Sequence, residues 1–502
     1  METHSYERLS AQDNSFLVME SPTMHMPVGS TNIYEAGPLR TREGGINIAL
    51  FKKGIESVLH LVPRYRQRLM WIPIENRPVW VDDREFNLDY HIRHTALPHP
   101  GSEEDLKRLS ARVMAQQLDR ARPLWEMWVV EGLQGDRFAV IGKHHHCMID
   151  GISGVEATQL LLSPRPEYEV HDAPRFVPHT APSGFELLRD ALLRRACLPV
   201  QILRGLREFR RHSKHGGRQI RLRAQAVAEF LGTAMQPAPK TPLNGPLSPH
   251  RRFDWLSMPF AHFKAVSGAA DCTVNDVVLA TVAGAVREFL IARRVNPDEI
   301  DFRVSIPVSV RRKQERGHLG NRVSSWILQL PIGEASPRTR LARLQQATHQ
   351  LKASHQALAL DMMMALAEWM PAGLLSLGMS GAGARTNMIV SNIPGPRIPL
   401  YLLGAKLVEF YPLVPLLENT GLGVAIISYA GKMCWGFHAD YDLVPDLRRF
   451  VEMIDASFKE LAQAVGVGLG GDGFAGPRLE HSSGYRKRGR NSGERTRRRP
   501  PA

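Results

Sequence analysis

Nine consecutive residues, Lys143 to Gly151, hold the densest group of side chains in this sequence that could do chemistry: three histidines in a row and an Asp-Gly pair. The run follows the apolar residues Phe138 to Ile141, so we expect the histidines at the end of a strand. Successive side chains on a strand alternate faces, so His144 and His146 should face one way and His145 the other. A neutral histidine accepts a proton at neutral pH, and the segment could therefore supply a general base.

Two other interpretations of these histidines stay open. Adjacent histidines at a strand end also occur in hydrogen-bonded polar turns that have no chemical role. Alternatively, His144 and His146 share a face and could ligate a metal ion, with Asp150 as a third ligand. The sequence offers no other close group of His, Cys, Asp or Glu to complete such a site, and we therefore predict that no metal is bound.

Length and cysteine content limit the class of protein. A chain of 502 residues exceeds one ordinary hydrophobic core and predicts two or three domains. Its four cysteines lie far apart, and its first residues form no apolar signal segment, so we expect a reduced, cytoplasmic protein. The longest apolar run, Leu358 to Met379, is interrupted by Asp361, Glu368 and Pro371. Any contact with a membrane should therefore be made from its surface.

The net charge of +14 is confined to two segments. Residues 189–223 carry eleven Arg and Lys against two acidic residues, and residues 478–502 carry nine against two. The rest of the sequence is therefore close to neutral, and it shows no motif of a nucleic-acid-binding protein. We expect no nucleic acid partner. The first segment is basic and amphipathic, and it is either a connector between domains or a helix at a lipid surface.

Helical and strand-like patterns alternate along most of the chain and predict an α/β fold. Residues 1–182 form the first α/β unit, and residues 251–465 form the second. Between them, residues 183–250 combine the basic helix with a proline-rich linker that cannot be a central strand or helix. Residues 466–502 are rich in glycine and arginine, and disorder is expected there. The longest predicted helix is Val274 to Ala292.

Several separated motifs resemble one family. His145, His146, Asp150 and Gly151 form His-His-x-x-x-Asp-Gly, which resembles the signature of acyltransferases similar to chloramphenicol acetyltransferase and to peptide-synthetase condensation domains. Five further segments, in the same order along the chain, resemble the bacterial wax ester synthase/diacylglycerol acyltransferases within that group. These segments are Leu9 to Asp13 with Phe16 and Glu20, Pro123-Leu124-Trp125, Asn275 to Leu279, Gly320-Asn321, and Ser391 to Pro396.

The resemblance implies two chloramphenicol-acetyltransferase-like α/β sandwich halves in one chain, with one site between them. It implies that His146 is the catalytic base and that His145, Asp150, Gly151 and Asn275 support it. Asp150 should pair with an arginine that the sequence does not identify, and Asn275 either caps its helix or helps to stabilise the oxyanion. The resemblance also assigns four residues to substrate binding: Pro123, Leu124, Trp125 and Asp276. For Pro123, Leu124 and Trp125, the alternative is a place in the hydrophobic core.

The implied reaction is transfer of a long-chain acyl group from acyl-CoA to diacylglycerol, or to a long-chain alcohol in wax ester synthesis. Acyl-CoA is then a co-substrate, and no cofactor is expected. Such substrates require an apolar tunnel, for which the methionine-rich residues 362–379 are a candidate wall. Because diacylglycerol is insoluble in water, we expect the protein in a peripheral position on the inner membrane face or on lipid droplets. A lipid-binding protein of the same fold without activity is the alternative from another functional class.

Overall fold

Strands account for much of the framework in the computed structural model, which describes residues 6–149, 160–196, 237–309, 323–353 and 385–469. The strands are β1 (Glu7–Arg8), β2 (Pro27–Glu35), β3 (Gln67–Trp71), β4 (Pro78–Asp82), β5 (Ile92–Ala96), β6 (Trp125–Leu133), β7 (Arg137–His145), β8 (Arg251–Pro259), β9 (Arg303–Ser309), β10 (Val323–Gln329), β11 (Met388–Ile393), β12 (Tyr401–Leu402), β13 (Ala405–Leu413), β14 (Leu422–Tyr429) and β15 (Lys432–Asp440).

Helices pack against these strands and complete an α/β architecture, as the sequence predicts. The helices are α1 (Ala11–Met19), α2 (Ile48–Val58), α3 (Leu88–His91), α4 (Glu103–Ala115), α5 (described over 184–196), α6 (Phe260–Ala269), α7 (Val274–Ala292), α8 (Pro337–Ala353) and α9 (Leu447–Ala464). The helix predicted over Val274 to Ala292 is confirmed at both ends.

Two six-stranded sheets carry the fold. The first has the order β12-β13-β2-β7-β6-β5, and the second has the order β10-β9-β11-β14-β15-β8. A small third sheet, β1-β4-β3, lies under the described part of α5, where Leu187 and Ala191 join its apolar residues in one core cluster. In the second sheet, Val424 and Ile426 of β14 join the core formed with α7 and α9, while Ala425 and Ile427 face a cavity.

Strand β13 crosses from the second half of the sequence into the first sheet. It pairs antiparallel with β2, with Leu413 opposite Gly29. Two glycines of the second sheet permit its approach, because a Cβ at Gly436 would lie 1.9 Å from the Pro412 carbonyl oxygen and one at Gly423 would lie 2.9 Å from Val414 Cγ2. The first sheet is therefore built from both ends of the chain, and the domain boundaries proposed from sequence stay predictions.

Several sequence-based predictions fall on residues outside the described ranges. They concern the helix from Ile152, nearly all of which is undescribed, the basic helix beyond residue 196, the methionine-rich wall at 362–379 and the arginine-rich end. The linker at 237–249 is described, and it contains neither helix nor strand, as its prolines predict.

Candidate active site

The histidine run lies at the end of β7, where that strand pairs with β2 on one side and β6 on the other. His145 is opposite Pro27, and His144 lies between Val28 and Trp125. His144 and His146 both line a cavity, whereas His145 points towards a buried carboxylate. The alternation of faces predicted from the sequence is confirmed.

His146 is held from two directions. Its backbone N–H donates to the carbonyl of Met26 over 2.8 Å, which fixes the chain just after the end of β7. Its ring stacks on Phe16 of α1, with centroids 4.0 Å apart and planes inclined by 14°. The side chain is half-buried and borders the cavity. A neutral imidazole in this position can accept a proton from a group that enters the cavity.

The imidazole of His145 lies against the carboxylate of Glu20, and both side chains are only 2% exposed. Its Nε2 lies 3.2 Å from Glu20 Oε1, and its Nδ1 accepts the N–H of Cys147 over 3.1 Å. Because Nδ1 is an acceptor, the ring proton belongs on Nε2, where it faces the carboxylate. The His145 backbone N–H also donates to the carbonyl of Leu124 over 2.9 Å. His145 is therefore anchored from both its ring and its backbone.

The Glu20 carboxylate collects hydrogen bonds from three directions. Oε1 accepts the Met26 N–H over 2.9 Å, and Oε2 accepts from Arg120 Nη2 over 2.8 Å and from Gln117 Nε2 over 3.1 Å. Burial alone would raise the pKa of this carboxyl, but His145, Arg120 and the Met26 amide outweigh it and hold the pKa well below its usual range. Glu20 is thus ionised, and it orients the Met26 peptide that in turn holds His146.

His144 is a neutral hydrogen-bonding residue. Its Nε2 lies 2.8 Å from the hydroxyl of Tyr65, and burial lowers its pKa to about 4. Tyr65 is fixed in turn, because its carbonyl accepts the indole N–H of Trp125 over 2.8 Å. The ring of Trp125 also stacks on His91 with centroids 4.5 Å apart. These contacts brace the wall of the cavity next to His146.

The Pro-Leu-Trp segment supports the histidines from the core. Pro123, Leu124 and Trp125 are buried, and the cavity lining does not include them. Leu124 and Trp125 act through hydrogen bonds to His145 and Tyr65. Their described contacts match the core alternative, and a direct role in substrate binding stays a prediction.

Lys143, the first residue of the run, fastens β7 to α4. Its buried Nζ donates to the carbonyls of Val113 and Gln116 at the carboxyl end of that helix. Burial lowers its pKa to about 8. Helix α4 begins with a capping box between Ser102 and Asp105, so both of its ends are satisfied. The strand that presents the histidines is therefore attached to a well-capped helix.

The cavity is apolar and lies between the two large sheets. Its empty space is about 1110 Å³ including the open mouth, and its walls come from both halves of the sequence. The lining residues are mostly aliphatic or aromatic, and they are Val28, Gly29, Ser30, Asn32, Tyr34, Phe51, Ile55, Met127, Val140, Gly142, His144, His146, Ile149, Leu161, Leu162, Pro307, Ser391, Ile393, Leu402, Phe410, Pro412, Leu413, Val414, Ala425 and Ile427. Apolar walls beside His146 are of the kind that binds an apolar chain.

Asn275 and Asp276 have separate roles at the start of α7. The expectation that Asn275 caps this helix is wrong: the cap is Thr273, which forms a capping box with Asp276. The Asp276 carboxylate also accepts the hydroxyl of Thr348 over 2.8 Å, so its described contacts are structural. Asn275 Oδ1 instead accepts from Asn392 Nδ2 over 3.2 Å.

Asn392 belongs to the Ser-Asn-Ile-Pro-Gly-Pro segment, whose Ser391 and Ile393 line the cavity. The structure therefore brings Asn275 to the strand that forms the cavity wall, and the cavity lining does not include Asn275 itself. Its part in the chemistry stays a prediction.

Other predicted site residues cannot be located in the fold. Asp150 and Gly151 lie outside the described residues. The ion pair expected between Asp150 and an arginine therefore stays a prediction. Within the described ranges, no three His, Cys, Asp or Glu residues are grouped so that they could hold a metal ion. No helix in those ranges is long and apolar enough to cross a membrane.

Sequence reasoning did not predict what Phe16 and Glu20 contact. Both belong to the opening segment that resembles the acyltransferase family, and this resemblance was the available signal. Their distance from the histidines in sequence concealed the contacts, because only the tertiary fold brings α1 to the end of β7.

Comparison with known proteins agrees with the geometry. The model of the wax ester synthase/diacylglycerol acyltransferase catalytic domain matches residues 9–278, and that of the corresponding C-terminal domain matches residues 319–462. A probable diacylglycerol O-acyltransferase of Mycobacterium tuberculosis is 33% identical over 463 residues, which span 90% of this chain and 95% of that protein. A putative diacylglycerol O-acyltransferase of the same organism is 32% identical, with 91% and 90% covered.

Two solved structures share the fold. The wax ester synthase/diacylglycerol acyltransferase from Marinobacter aquaeolei has a TM-score of 0.64 at 24% identity and covers 92% of this chain and 100% of that one. The starter condensation domain of rhizomide synthetase has a TM-score of 0.57 at 16% identity, with 92% and 95% covered. The predicted fold of two acetyltransferase-like α/β halves is confirmed.

Proposed function

The chain belongs to the wax ester synthase/diacylglycerol acyltransferase family, and we propose that it transfers a long-chain acyl group from coenzyme A to the hydroxyl of diacylglycerol. The observation that carries this proposal is the position of His146 on the wall of a large apolar cavity between two sheets. The relatives that cover nine-tenths of the chain bear the name diacylglycerol O-acyltransferase, which favours that acceptor. Acyl-CoA enters as a co-substrate, and the reaction needs no cofactor.

In the proposed reaction His146 is the general base. It removes the proton from the acceptor hydroxyl while the oxygen attacks the thioester carbon, and a tetrahedral oxyanion forms. The carbon–sulfur bond then breaks, and the protonated imidazole returns the proton to the departing thiolate. No acyl-enzyme is formed. General-base assistance contributes roughly 10²- to 10⁴-fold to such a step. The apolar walls exclude water, which would otherwise hydrolyse the thioester.

Other residues position the base. Glu20 and His145 hold the Met26 peptide and the end of β7, and Phe16 fixes the plane of the His146 ring. Asp150 and Gly151 are proposed to hold the loop that follows. Asn275 acts on the opposite wall through Asn392.

We further propose that the protein meets its water-insoluble acceptor at a lipid surface, on the cytoplasmic face of the membrane or on lipid droplets. Helix α5 buries Leu187 and leaves Phe185 76% exposed and Leu192 and Leu193 each 58% exposed. Ile74, at the tip of the adjoining β3–β4 hairpin, is 90% exposed. The sequence from α5 to Arg223 supplies the positive charge that attracts anionic lipids.

A vesicle assay tests this surface. The double variant Phe185→Asp, Leu192→Asp should bind anionic vesicles at least about tenfold more weakly while it turns over detergent-dispersed substrate normally. Ile398→Asp is the matched control, because Ile398 is 53% exposed elsewhere on the protein. Equal loss of vesicle binding in both variants would argue against a defined docking surface.

Turnover by purified protein tests the reaction itself. Labelled palmitoyl-CoA is supplied with diolein or with hexadecanol, and lipid products are separated. We expect triacylglycerol as the main product. Wax ester as the main product would reassign the acceptor, and the absence of both would favour a lipid-binding protein without activity.

A further inference from the structure

Strand β2 places a row of polar side chains inside the apolar cavity. Ser30, Asn32 and Tyr34 occupy alternate positions on this strand, and all three line the cavity. The proposed transfer reaction leaves this row unexplained. A plain alkyl chain would gain nothing from hydrogen-bonding groups there, and groups so deeply buried are normally paired.

Asn32 shows where a ligand group is missing. The residue is 5% exposed, and its Oδ1 is buried without a hydrogen-bond partner in the described part of the chain. An unpaired buried acceptor is costly, so this atom requires an O–H or N–H donor from a water molecule or a ligand. Since Oδ1 can only accept, ester carbonyls and alkyl carbons cannot satisfy it.

The row has a defined distance from the histidines. Val28 lies opposite His144, and Asn32 lies opposite Val140, four residues further along β2. At roughly 3.3 Å per residue, Asn32 is roughly 13 Å beyond the level of His144 along the strand. A chain whose thioester lies at His146 would therefore pass Asn32 well beyond its first carbons.

We propose that Ser30, Asn32 and Tyr34 form a subsite for a hydroxyl group in the middle of a substrate lipid chain. The hydroxyl donates to Asn32 Oδ1, and the Ser30 and Tyr34 hydroxyls complete its surroundings. This inference rests on the proposed acyl transfer. The hydroxylated chain can belong to either of two sources, the acyl-CoA donor or the diacylglycerol acceptor.

Paired substrates test the subsite. Stearoyl-CoA is compared with mid-chain hydroxystearoyl-CoA using plain diolein, and plain stearoyl-CoA is then used with diolein or with a mid-chain hydroxylated diacylglycerol. For the wild-type protein, kcat/KM should be higher for the hydroxylated substrate in one of the two comparisons. That comparison shows whether the hydroxyl belongs to the acyl-CoA donor or to the diacylglycerol acceptor. Asn32→Leu should reduce this preference at least about tenfold. Turnover of plain stearoyl-CoA tests the transfer reaction independently of the subsite.

Two controls keep the outcome specific. Val28→Ala changes another cavity-lining residue of the same strand that lacks a hydrogen-bonding group, and it should affect both members of each pair equally. A chain hydroxylated beside the thioester should show no preference, because its hydroxyl does not reach Asn32. Two results would contradict the subsite. The first is the same kcat/KM for plain and hydroxylated chains in wild type, and the second is an Asn32→Leu loss of kcat/KM that is equal for both chains. The second result would mean that Asn32 holds water or a part of coenzyme A.

Discussion

Glu20 and His145 form a fully buried carboxylate–imidazole pair, 3.2 Å apart, directly behind the cavity wall that carries His146. The pair is linked to His146 through one residue, because Met26 donates its N–H to Glu20 and its carbonyl accepts the N–H of His146. A residue far away in sequence thereby fixes the position of the proposed base.

Glu20→Gln should slow acyl transfer by between about tenfold and about 10²-fold, because a small displacement of a catalytic group has effects of this size. It should also destabilise the fold by about 1–3 kcal/mol at pH 7. The folded-state pKa of Glu20 is lowered, so its stabilising contribution is present above the unfolded pKa of about 4.3 and is lost as the pH falls. The stability difference between wild type and variant should therefore shrink below about pH 4.3, as measured by denaturant unfolding.

Glu131→Gln provides the matched control for that experiment. Glu131 also pairs with a histidine, His94 at 3.3 Å, and accepts a backbone N–H, that of Ile46 at 2.9 Å, but it is not part of the cavity wall. The Glu131→Gln variant should leave turnover unchanged. Equal loss of activity in both variants would contradict a positioning role for Glu20.

The buried His144 should make stability depend on pH between about 4 and about 6.5. Burial lowers its folded-state pKa to about 4, so the unfolded chain binds the extra proton first as the pH falls, and the fold loses stability across that interval. The full loss from this residue is about 3 kcal/mol. His144→Gln should flatten this part of the stability profile in denaturant unfolding at pH 4, 5, 6 and 7. An unchanged profile would show that His144 is not buried in its neutral form.

Gly142→Val should narrow the cavity beside the histidines without unfolding the protein. A Cβ at Gly142 would meet only His144 Cε1, at 3.9 Å, so the new side chain enters the cavity rather than the core. Valine also suits a strand. We expect a loss of kcat/KM for palmitoyl-CoA that exceeds the loss for butanoyl-CoA by about tenfold. Equal losses for both donors would place the acyl chain elsewhere.

Residues 1–182 expressed alone should show no acyl transfer. In the full chain, β13 covers the edge of β2, and residues 391–427 supply one wall of the cavity. The isolated segment lacks both features, and its exposed edge should promote aggregation. Co-expression with residues 218–465 should restore some turnover in a product assay. Turnover by the first segment alone would contradict a site shared by the two halves.

The sequence predicted elements that carry a strong local pattern. The periodicity of Val274 to Ala292 and the apolar run before the histidines gave α7 and β7 almost to the residue. It did not predict β2 or β13. Strand β2 contains Gly29, Ser30 and Asn32, which are poor strand formers when taken alone, and its pairing on both sides overrides that preference.

Contacts between segments that are distant along the chain could not be predicted from the sequence. Phe16 and Glu20 meet the histidines only through tertiary packing, and the row along β2 shares their cavity only through sheet register. No local sequence pattern records either relationship. The cap of α7 is Thr273 rather than the expected Asn275, because the backbone geometry at the helix start decides which side chain can cap it. Family resemblance predicted that His146 is the base, and the structure supplies the neighbours through which it would act.

Replacement of His146 is the sharpest test of general-base catalysis by this residue. Purified wild type and His146→Ala are compared with palmitoyl-CoA and diolein, together with thermal melting curves, and His94→Ala serves as a histidine control outside the cavity lining. We predict that His146→Ala loses at least about 10²-fold in kcat with an unchanged melting temperature, while His94→Ala stays active. A stable His146→Ala protein that keeps more than about a tenth of wild-type turnover would contradict this prediction.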